Sequence, residues 1–229
     1  MNVNMNKISN QKSVLPILYS LRNCPYAMRA RLAIYKAQYP VALRDIVLSN
    51  KPQAMLTASP KGTVPVLVMA NNKVIDESLE IMMWALHASD PLDLLHTQQA
   101  NALPEMLQLI GQFDTDFKTS LNTYKCAKRY QERNIIKCRQ ACEQFIVQLE
   151  HRLSGHKYLQ SNKESLADIA LLPFIRQFAR VERQWYLKSP YPKLRLWLNS
   201  YLHSPTFTKV MTKYPLWLET QQEVIFAEL

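Results

Sequence analysis

Short apolar runs alternate with longer amphipathic stretches over the first 90 residues of the chain. The short runs are rich in Val, Ile and Leu, which is typical of buried strands, and the stretches between them repeat apolar positions at helical spacing. This alternation predicts a mixed four-stranded sheet flanked by helices. The predicted strands are Leu15–Ser20, Val41–Val47, Val66–Ala70 and Lys73–Ile75, and the predicted helices are Pro25–Ala37, Pro52–Thr57 and Ser78–His87.

The pattern changes at Ala88-Ser89-Asp90-Pro91, and only helical periodicity follows it. We therefore expect a flexible tail over residues 1–14, an α/β domain over residues 15–88 and an all-helical domain over residues 89–229. The predicted helices of that last domain are Pro104–Tyr124, Ala127–Leu153, Ser165–Tyr186, Tyr191–Leu202 and Pro205–Thr212.

Composition favours a helix-rich protein of a reducing compartment. The 229 residues include only 3 Gly, and 48% of them are apolar. No apolar run approaches the roughly 18 residues that span a bilayer, and residues 1–13 lack the apolar segment of a signal peptide. The four cysteines show no disulfide-framework spacing. We expect a soluble cytoplasmic protein with no membrane partner.

A formal net charge of +10 raises the question of a nucleic-acid partner. The densest basic stretch covers residues 118–139 and is opposed only by Glu132; its cations are Lys118, Lys125, Lys128, Arg129, Arg133, Lys137 and Arg139. No zinc-finger spacing, RNA-binding sheet motif or phosphate-binding loop accompanies it. We interpret the stretch as a solvated helix face and expect no nucleic-acid partner.

Cys24-Pro25-Tyr26-Ala27 lies where the first predicted strand gives way to the first predicted helix. Backbone N–H groups and the helix dipole stabilise a thiolate at such a position, and a proline is tolerated in the first helical turn. Ala27 stands where a C-x-x-C motif has its second cysteine, so only one thiol is present. From these residues alone, a buried structural cysteine is an equal alternative.

Three further motifs follow Cys24 in order: Val64-Pro65 at the start of a strand, Glu77-Ser78 before a helix, and Ser165-Leu166-Ala167-Asp168, which has the spacing of a helix capping box. With this set the chain resembles the cytosolic glutathione transferases, specifically the bacterial branch with an active cysteine, close to the omega class. The resemblance covers about residues 15–215. It implies a thioredoxin-like α/β N-terminal domain followed by an all-α C-terminal helical bundle.

The resemblance also implies roles for individual residues. Cys24 would contact the glutathione sulfur, and the backbone of Val64, before a cis Pro65, would pair with the cysteinyl part of glutathione. Glu77 would neutralise the γ-glutamyl ammonium group, and Ser78, as N-cap of its helix, would hold the neighbouring carboxylate. A loop lysine would pair with the glycyl carboxylate and a leucine would pack in the same loop; these are Lys51 and Leu48.

The second substrate would occupy a cleft whose candidate residues are Tyr26, Phe117, Tyr124 and Cys126. Tyr19 is an alternative hydroxyl for stabilising a bound thiolate, although an ordinary strand aromatic fits its position better. Cys138 and Cys142 are four residues apart on a helix, but no histidine or acid completes a ligand set, so we expect no metal.

The expected function is that of a glutathione-dependent transferase whose Cys24 thiolate forms a mixed disulfide with glutathione, with roles in redox chemistry and detoxification. Glutathione would be a cosubstrate, with no further cofactor, and the partner a small electrophilic or oxidised substrate. The resemblance implies a homodimer. Two alternatives stay open: a monothiol glutaredoxin-like oxidoreductase, and a non-catalytic binding or regulatory protein with the transferase fold.

Overall fold

The computed structural model describes residues 14–228, so the expected tail over residues 1–14 lies almost wholly outside the described residues. The first part of the described chain alternates strands and helices as the sequence predicts. Its elements are β1 (Ile17–Ser20), α1 (Pro25–Lys36), β2 (Val41–Asp45), α2 (Gln53–Ala58), β3 (Val66–Val68), β4 (Val74–Ile75) and α3 (Ser78–Ala88).

Helices dominate the rest of the chain, which confirms the predicted combination of a thioredoxin-like α/β part and a helical part. The elements are α4 (Ala102–Gln112), a π-helical segment (Phe113–Phe117), α5 (Lys118–Arg129), α6 (Ile135–Gly155), α7 (Leu166–Val181), α8 (Arg183–Lys188), α9 (Pro192–Leu202), α10 (Pro205–Val210), α11 (Trp217–Thr220) and β5 (Val224–Phe226). No helix in the described range is long and apolar enough to cross a membrane.

The sheet has five strands in the order β4-β3-β1-β2-β5, not the four predicted. β1 is parallel to β2, with α1 as the connecting helix, and β3 is antiparallel to both β1 and β4. The unpredicted strand β5 returns from the far end of the chain and pairs antiparallel with β2, Ile225 opposite Ala42. It covers an edge that would otherwise expose unpaired backbone groups. The sequence did not predict β5, because a strand of three residues is too short to show an alternating pattern.

The long helices differ from the prediction at their breaks. The predicted helix Pro104–Tyr124 runs on to Arg129 through the π-helical segment, and the chain then turns at residues 130–134, where Gln131 has a φ of 53°. The predicted helix Ser165–Tyr186 is divided at Glu182. Its carboxylate accepts hydrogen bonds from Tyr124 and Arg139, 2.8 and 2.9 Å away, which ties the break to α5 and α6.

Helix α1 joins the two parts of the molecule. Its residues from Ala27 to Ile34 are all buried, because it packs against α3, α7 and α10 as well as against the sheet. One continuous hydrophobic core therefore extends from β1 through α1 into the helical bundle, and a smaller cluster containing Met55 fills the space under α2. The N-terminal end of α1 is fixed at the boundary between the two parts.

Candidate functional site

Cys24 is the N-cap residue of α1, immediately after the turn that follows β1. Its backbone is extended (φ −74°, ψ 125°), and Pro25 occupies the first helical position. No side chain caps this helix, and its first turn contains no acidic residue. The free N–H groups and the positive end of the dipole therefore meet a half-buried thiol with no competing negative charge on the same turn.

Val64 and Pro65 lie against this thiol, although 40 residues separate them from it in the chain. The Val64–Pro65 peptide bond is cis, as the resemblance implied. The Sγ atom of Cys24 lies 3.7 Å from the carbonyl oxygen of Val64, to which it donates. The fold thus brings together the first two motifs that the sequence singled out.

A cavity of about 200 Å³ opens beside this contact. It contains most of the residues predicted for the glutathione end of the site, together with four that the sequence did not indicate as site residues: Lys61, Thr63, Asp76 and Lys118. The wall consists of Tyr26, Lys61, Thr63, Val64, Pro65, Asp76, Glu77, Ser78 and Lys118.

The acid-hydroxyl corner at the start of α3 differs from the expectation by one residue. Glu77 is the N-cap and Ser78 is the first residue of the helix, not the cap. The Glu77 side chain is 65% exposed and its carboxylate lies 2.6 Å from the ammonium group of Lys61, which also lies 3.2 Å from Asp76. A hydrogen bond from Ser59 lowers the pKa of the Asp76 carboxyl, and Lys61 lowers it further. Lys61 is thus the cation of this corner.

A buried ion pair that the sequence did not reveal holds Ser78 in place. The Nε–H of Arg29 donates to Ser78 Oγ at 2.9 Å, and its two terminal nitrogens donate to the two carboxylate oxygens of Asp114 at 2.8 and 2.9 Å. Asp114 belongs to the π-helical segment, so the helical bundle braces the Ser78 corner of the cavity. The only sequence signal was an arginine on the buried side of the first helix.

Tyr26 separates the cavity from the bundle. Its ring packs edge-on against Phe174 with centroids 5.1 Å apart, and the cations of Arg29 and Lys118 lie 5.4 and 5.3 Å from its centroid. Both distances are within the range of a cation–π contact. Tyr26 was predicted for the second-substrate cleft, but it lies in the wall of the 200 Å³ cavity together with Glu77 and Ser78.

The structure corrects the placement of the other second-substrate candidates. Phe117 and Tyr124 are fully buried in the core, where Phe117 packs against Phe113 and the Tyr124 hydroxyl donates to Glu182. Both side chains pack against Phe178 of α7, and the sequence did not indicate that this helix would cover them. Cys126 is exposed on α5 and is not part of the wall of the 200 Å³ cavity.

The two loop residues assigned by resemblance lie near the site but outside the cavity wall. The Nζ atom of Lys51 would lie 3.1 Å from a Cβ added to Gly62, in the turn that leads to Val64. Leu48 is on the surface with 51% of its side chain exposed. Lys51 therefore lies against the turn before Val64, whereas Leu48 is not part of the cavity wall.

Tyr19 and the remaining cysteines have other surroundings. The Tyr19 hydroxyl is buried and accepts a hydrogen bond from Arg44 at 2.8 Å, which favours the role of a strand aromatic. All four cysteines lie in the described part of the chain and are free. Burial raises the pKa of the Cys142 thiol to about 12. Within residues 14–228, no three His, Cys, Asp or Glu side chains are grouped so as to hold a metal ion.

Comparison with known proteins agrees with this geometry. The model of the glutathione S-transferase N-terminal domain matches residues 18–91, and that of the C-terminal domain matches residues 119–205. Mouse (Mus musculus) glutathione S-transferase omega-1 is 23% identical over 189 residues, which cover 82% of this chain and 77% of the relative. Human (Homo sapiens) glutathione S-transferase omega-2 is 26% identical over 201 residues, with the same coverage.

A crystal structure of a glutathione transferase family member from Pseudomonas fluorescens Pf-5, with two glutathione molecules bound, shares the fold. It superimposes with a TM-score of 0.74 and 17% identity, covering 89% of this chain and 95% of the other.

Proposed function

The chain belongs to the glutathione S-transferase family, and on this premise we propose that it transfers glutathionyl groups through the thiolate of Cys24. Family membership supports a glutathione-using enzyme. The observation that carries the finer proposal is the position of Cys24, at an uncapped helix N-terminus and 3.7 Å from Val64. Free N–H groups at a helix N-terminus can hold a negatively charged sulfur, and a thiolate is the form of cysteine that attacks a disulfide.

The proposed reaction has two steps. The Cys24 thiolate attacks the glutathionyl sulfur of a mixed disulfide; a bond forms between the two sulfurs, the original disulfide breaks, and the departing thiolate carries away the electron pair and takes a proton from solvent. The thiolate of a second glutathione then attacks the glutathionyl sulfur on Cys24 and releases glutathione disulfide. Ala27 supplies no resolving thiol, so the second glutathione is required.

Glutathione would lie in the 200 Å³ cavity with its sulfur towards Cys24. Its cysteinyl backbone would pair with Val64 as an added strand, and Lys51 would approach the glycyl carboxylate. Ser78 Oγ and the free N–H groups of α3 would hold the γ-glutamyl carboxylate. Glu77 would exchange Lys61 for the ligand's ammonium group, an exchange of small cost because exposed ion pairs contribute about 1 kcal/mol or less.

Glu77→Gln is expected to weaken glutathione binding about 3- to 10-fold, because it removes the countercharge of the γ-glutamyl ammonium group. Isothermal titration calorimetry measures the change. Glu80→Gln is the matched control, since Glu80 is an exposed acid in the first turn of the same helix outside the cavity wall. Equal affinities for the two variants would show that the γ-glutamyl end lies elsewhere.

The proposed function is tested by incubating the protein with glutathione disulfide and mapping adducts by mass spectrometry after digestion. We expect one glutathionyl adduct, on Cys24, released by added glutathione. Cys126 is the internal control, because it is exposed but lies outside the candidate site. An adduct on Cys126 with Cys24 unmodified would contradict the proposal.

The oligomeric state, the second substrate and the cellular location of the protein are still predictions. We propose a homodimer, a small electrophilic or oxidised second substrate and a cytoplasmic location, each supported by the family to which the chain belongs. Light scattering at micromolar concentration tests the dimer, and a monomer there would refute it.

A further inference from the structure

A second cavity, of about 490 Å³, lies between the loop before α1, the C-terminal half of α5 and the C-terminal end of α7. Its wall contains five cationic side chains and no acidic one, and we call it the basic cavity. The wall residues are Asn23, Lys125, Lys128, Arg129, Arg176, Gln177, Arg180 and Val181.

The two helices direct their cations to the same space. Lys125, Lys128 and Arg129 are three and four residues apart on α5, so they share one face, and Arg176 and Arg180 are four apart on α7. Part of the basic stretch that we interpreted from sequence as a solvated helix face thus belongs to a concave wall.

These charges are poorly compensated. Among the ion pairs of the described chain, only Lys128 of this set has an acidic partner, Glu182, at 3.9 Å. Arg176 is partly buried, and burial together with the neighbouring Arg180 and Arg22 lowers its pKa. Clustered cations repel one another, and an anion that enters the cavity offsets this repulsion.

The basic cavity reaches the chain segment that carries Cys24. Asn23, the residue before Cys24, belongs to its wall, whereas Tyr26, two residues after Cys24, belongs to the wall of the 200 Å³ cavity. The two walls share no residue. The Cys24 turn therefore separates a space suited to glutathione from a space suited to an anion.

We propose that the basic cavity binds the second substrate and selects a small organic molecule with two or more carboxylate or phosphate groups. This inference rests on the proposed function and names the substrate class of the same site. A volume of about 490 Å³ is within the usual range for small-molecule sites. In the first step the anion departs as a thiolate, and the same cations stabilise the charge that develops on its sulfur.

The substrate class is tested with two mixed disulfides of glutathione, one with mercaptosuccinate, which carries two carboxylates, and one with neutral 2-mercaptoethanol. We expect kcat/KM for the mercaptosuccinate adduct to exceed that for the mercaptoethanol adduct by about 10-fold or more at low ionic strength. Because screening weakens exposed charges, the ratio should fall in about 0.5 M salt.

The site is tested with the variant Lys125→Gln/Arg129→Gln, which should reduce that ratio to about 2-fold or less. The control is Arg133→Gln/Lys137→Gln, which removes the same charge from exposed positions outside the basic cavity and should retain the ratio. A ratio near one for the unmodified protein, or an equal loss in both variants, would overturn the inference.

A binding measurement separates this inference from the proposed chemistry. Calorimetry would compare two unreactive thioethers, S-(1,2-dicarboxyethyl)glutathione and S-(2-hydroxyethyl)glutathione. Tighter binding of the dicarboxylate, lost in Lys125→Gln/Arg129→Gln alone, supports the basic cavity even if no thiol transfer is found. Equal binding of the two overturns the cavity inference and leaves the proposed function standing, whereas binding of neither overturns both.

The same variants also test a nucleic acid as the alternative occupant of the basic cavity. Tighter binding of a 20-nucleotide oligothymidylate than of the dicarboxylate thioether, lost in Lys125→Gln/Arg129→Gln, would overturn the small-anion assignment.

Discussion

Replacing Cys24 by serine is expected to abolish glutathionyl transfer and to leave the fold intact. A hydroxyl cannot form the mixed disulfide, and an alkoxide is inaccessible at neutral pH. Loss of a nucleophile of this kind costs about 1000-fold or more in rate. The measurement is the rate of glutathione disulfide formation from a glutathione mixed disulfide, alongside a urea unfolding curve that reports stability.

Cys126→Ser is the matched control for Cys24→Ser, since Cys126 is exposed and lies in neither cavity wall. It should keep the full rate. Iodoacetamide labelling provides an independent readout: at pH 6 Cys24 should react well before Cys142, because burial raises the pKa of the Cys142 thiol to about 12. Full activity in Cys24→Ser would refute the cysteine mechanism, and Tyr19 would be the next residue to replace.

The second large effect is on stability: Asp168→Ala should lower the free energy of unfolding by about 3–5 kcal/mol. The sequence indicated only a capping box, worth about 1 kcal/mol. In the structure the fully buried carboxylate accepts four hydrogen bonds, from the N–H and hydroxyl of Ser165, the N–H of Leu159 and the indole N–H of Trp197, at 2.6 to 3.0 Å. The alanine variant would leave buried donors without a partner.

Urea unfolding at pH 7.5 measures this loss, because burial raises the pKa of the Asp168 carboxyl to about 6 and the carboxylate form is then present. Ser204→Ala is the control: as the cap of α10, the Ser204 hydroxyl accepts a hydrogen bond from the N–H of Phe207 and donates one to the carbonyl of Tyr201, so the variant should cost about 1 kcal/mol. If Asp168→Ala lowers the free energy of unfolding no more than Ser204→Ala does, the hydrogen bonds from Leu159 and Trp197 contribute nothing to stability.

The sequence predicted well those features that depend on residues close together in the chain. The alternation of apolar runs determined the order of β1 to β4 and of α1 to α3, because strand and helix periods appear within a few residues. The Ser165–Asp168 capping box is confirmed for the same reason, since its two partners lie within one helical turn. The cysteine and the proline were visible as motifs, although their contact was known only by resemblance.

Contacts between distant segments were decided by tertiary structure alone. Arg29 meets Ser78 and Asp114 across 49 and 85 residues, and no local pattern encodes such a distance. Phe117 and Tyr124 were assigned to a cleft by resemblance, whereas in the folded chain both are buried against Phe178 of α7. The basic cavity exists for the same reason: the charges of α5 were evident in sequence, but only packing places them opposite Arg176 and Arg180, beside Cys24. The chain's own pattern thus determined most of its elements and the place of Cys24 at the start of α1, and the packing of helices against one another determined what surrounds that cysteine.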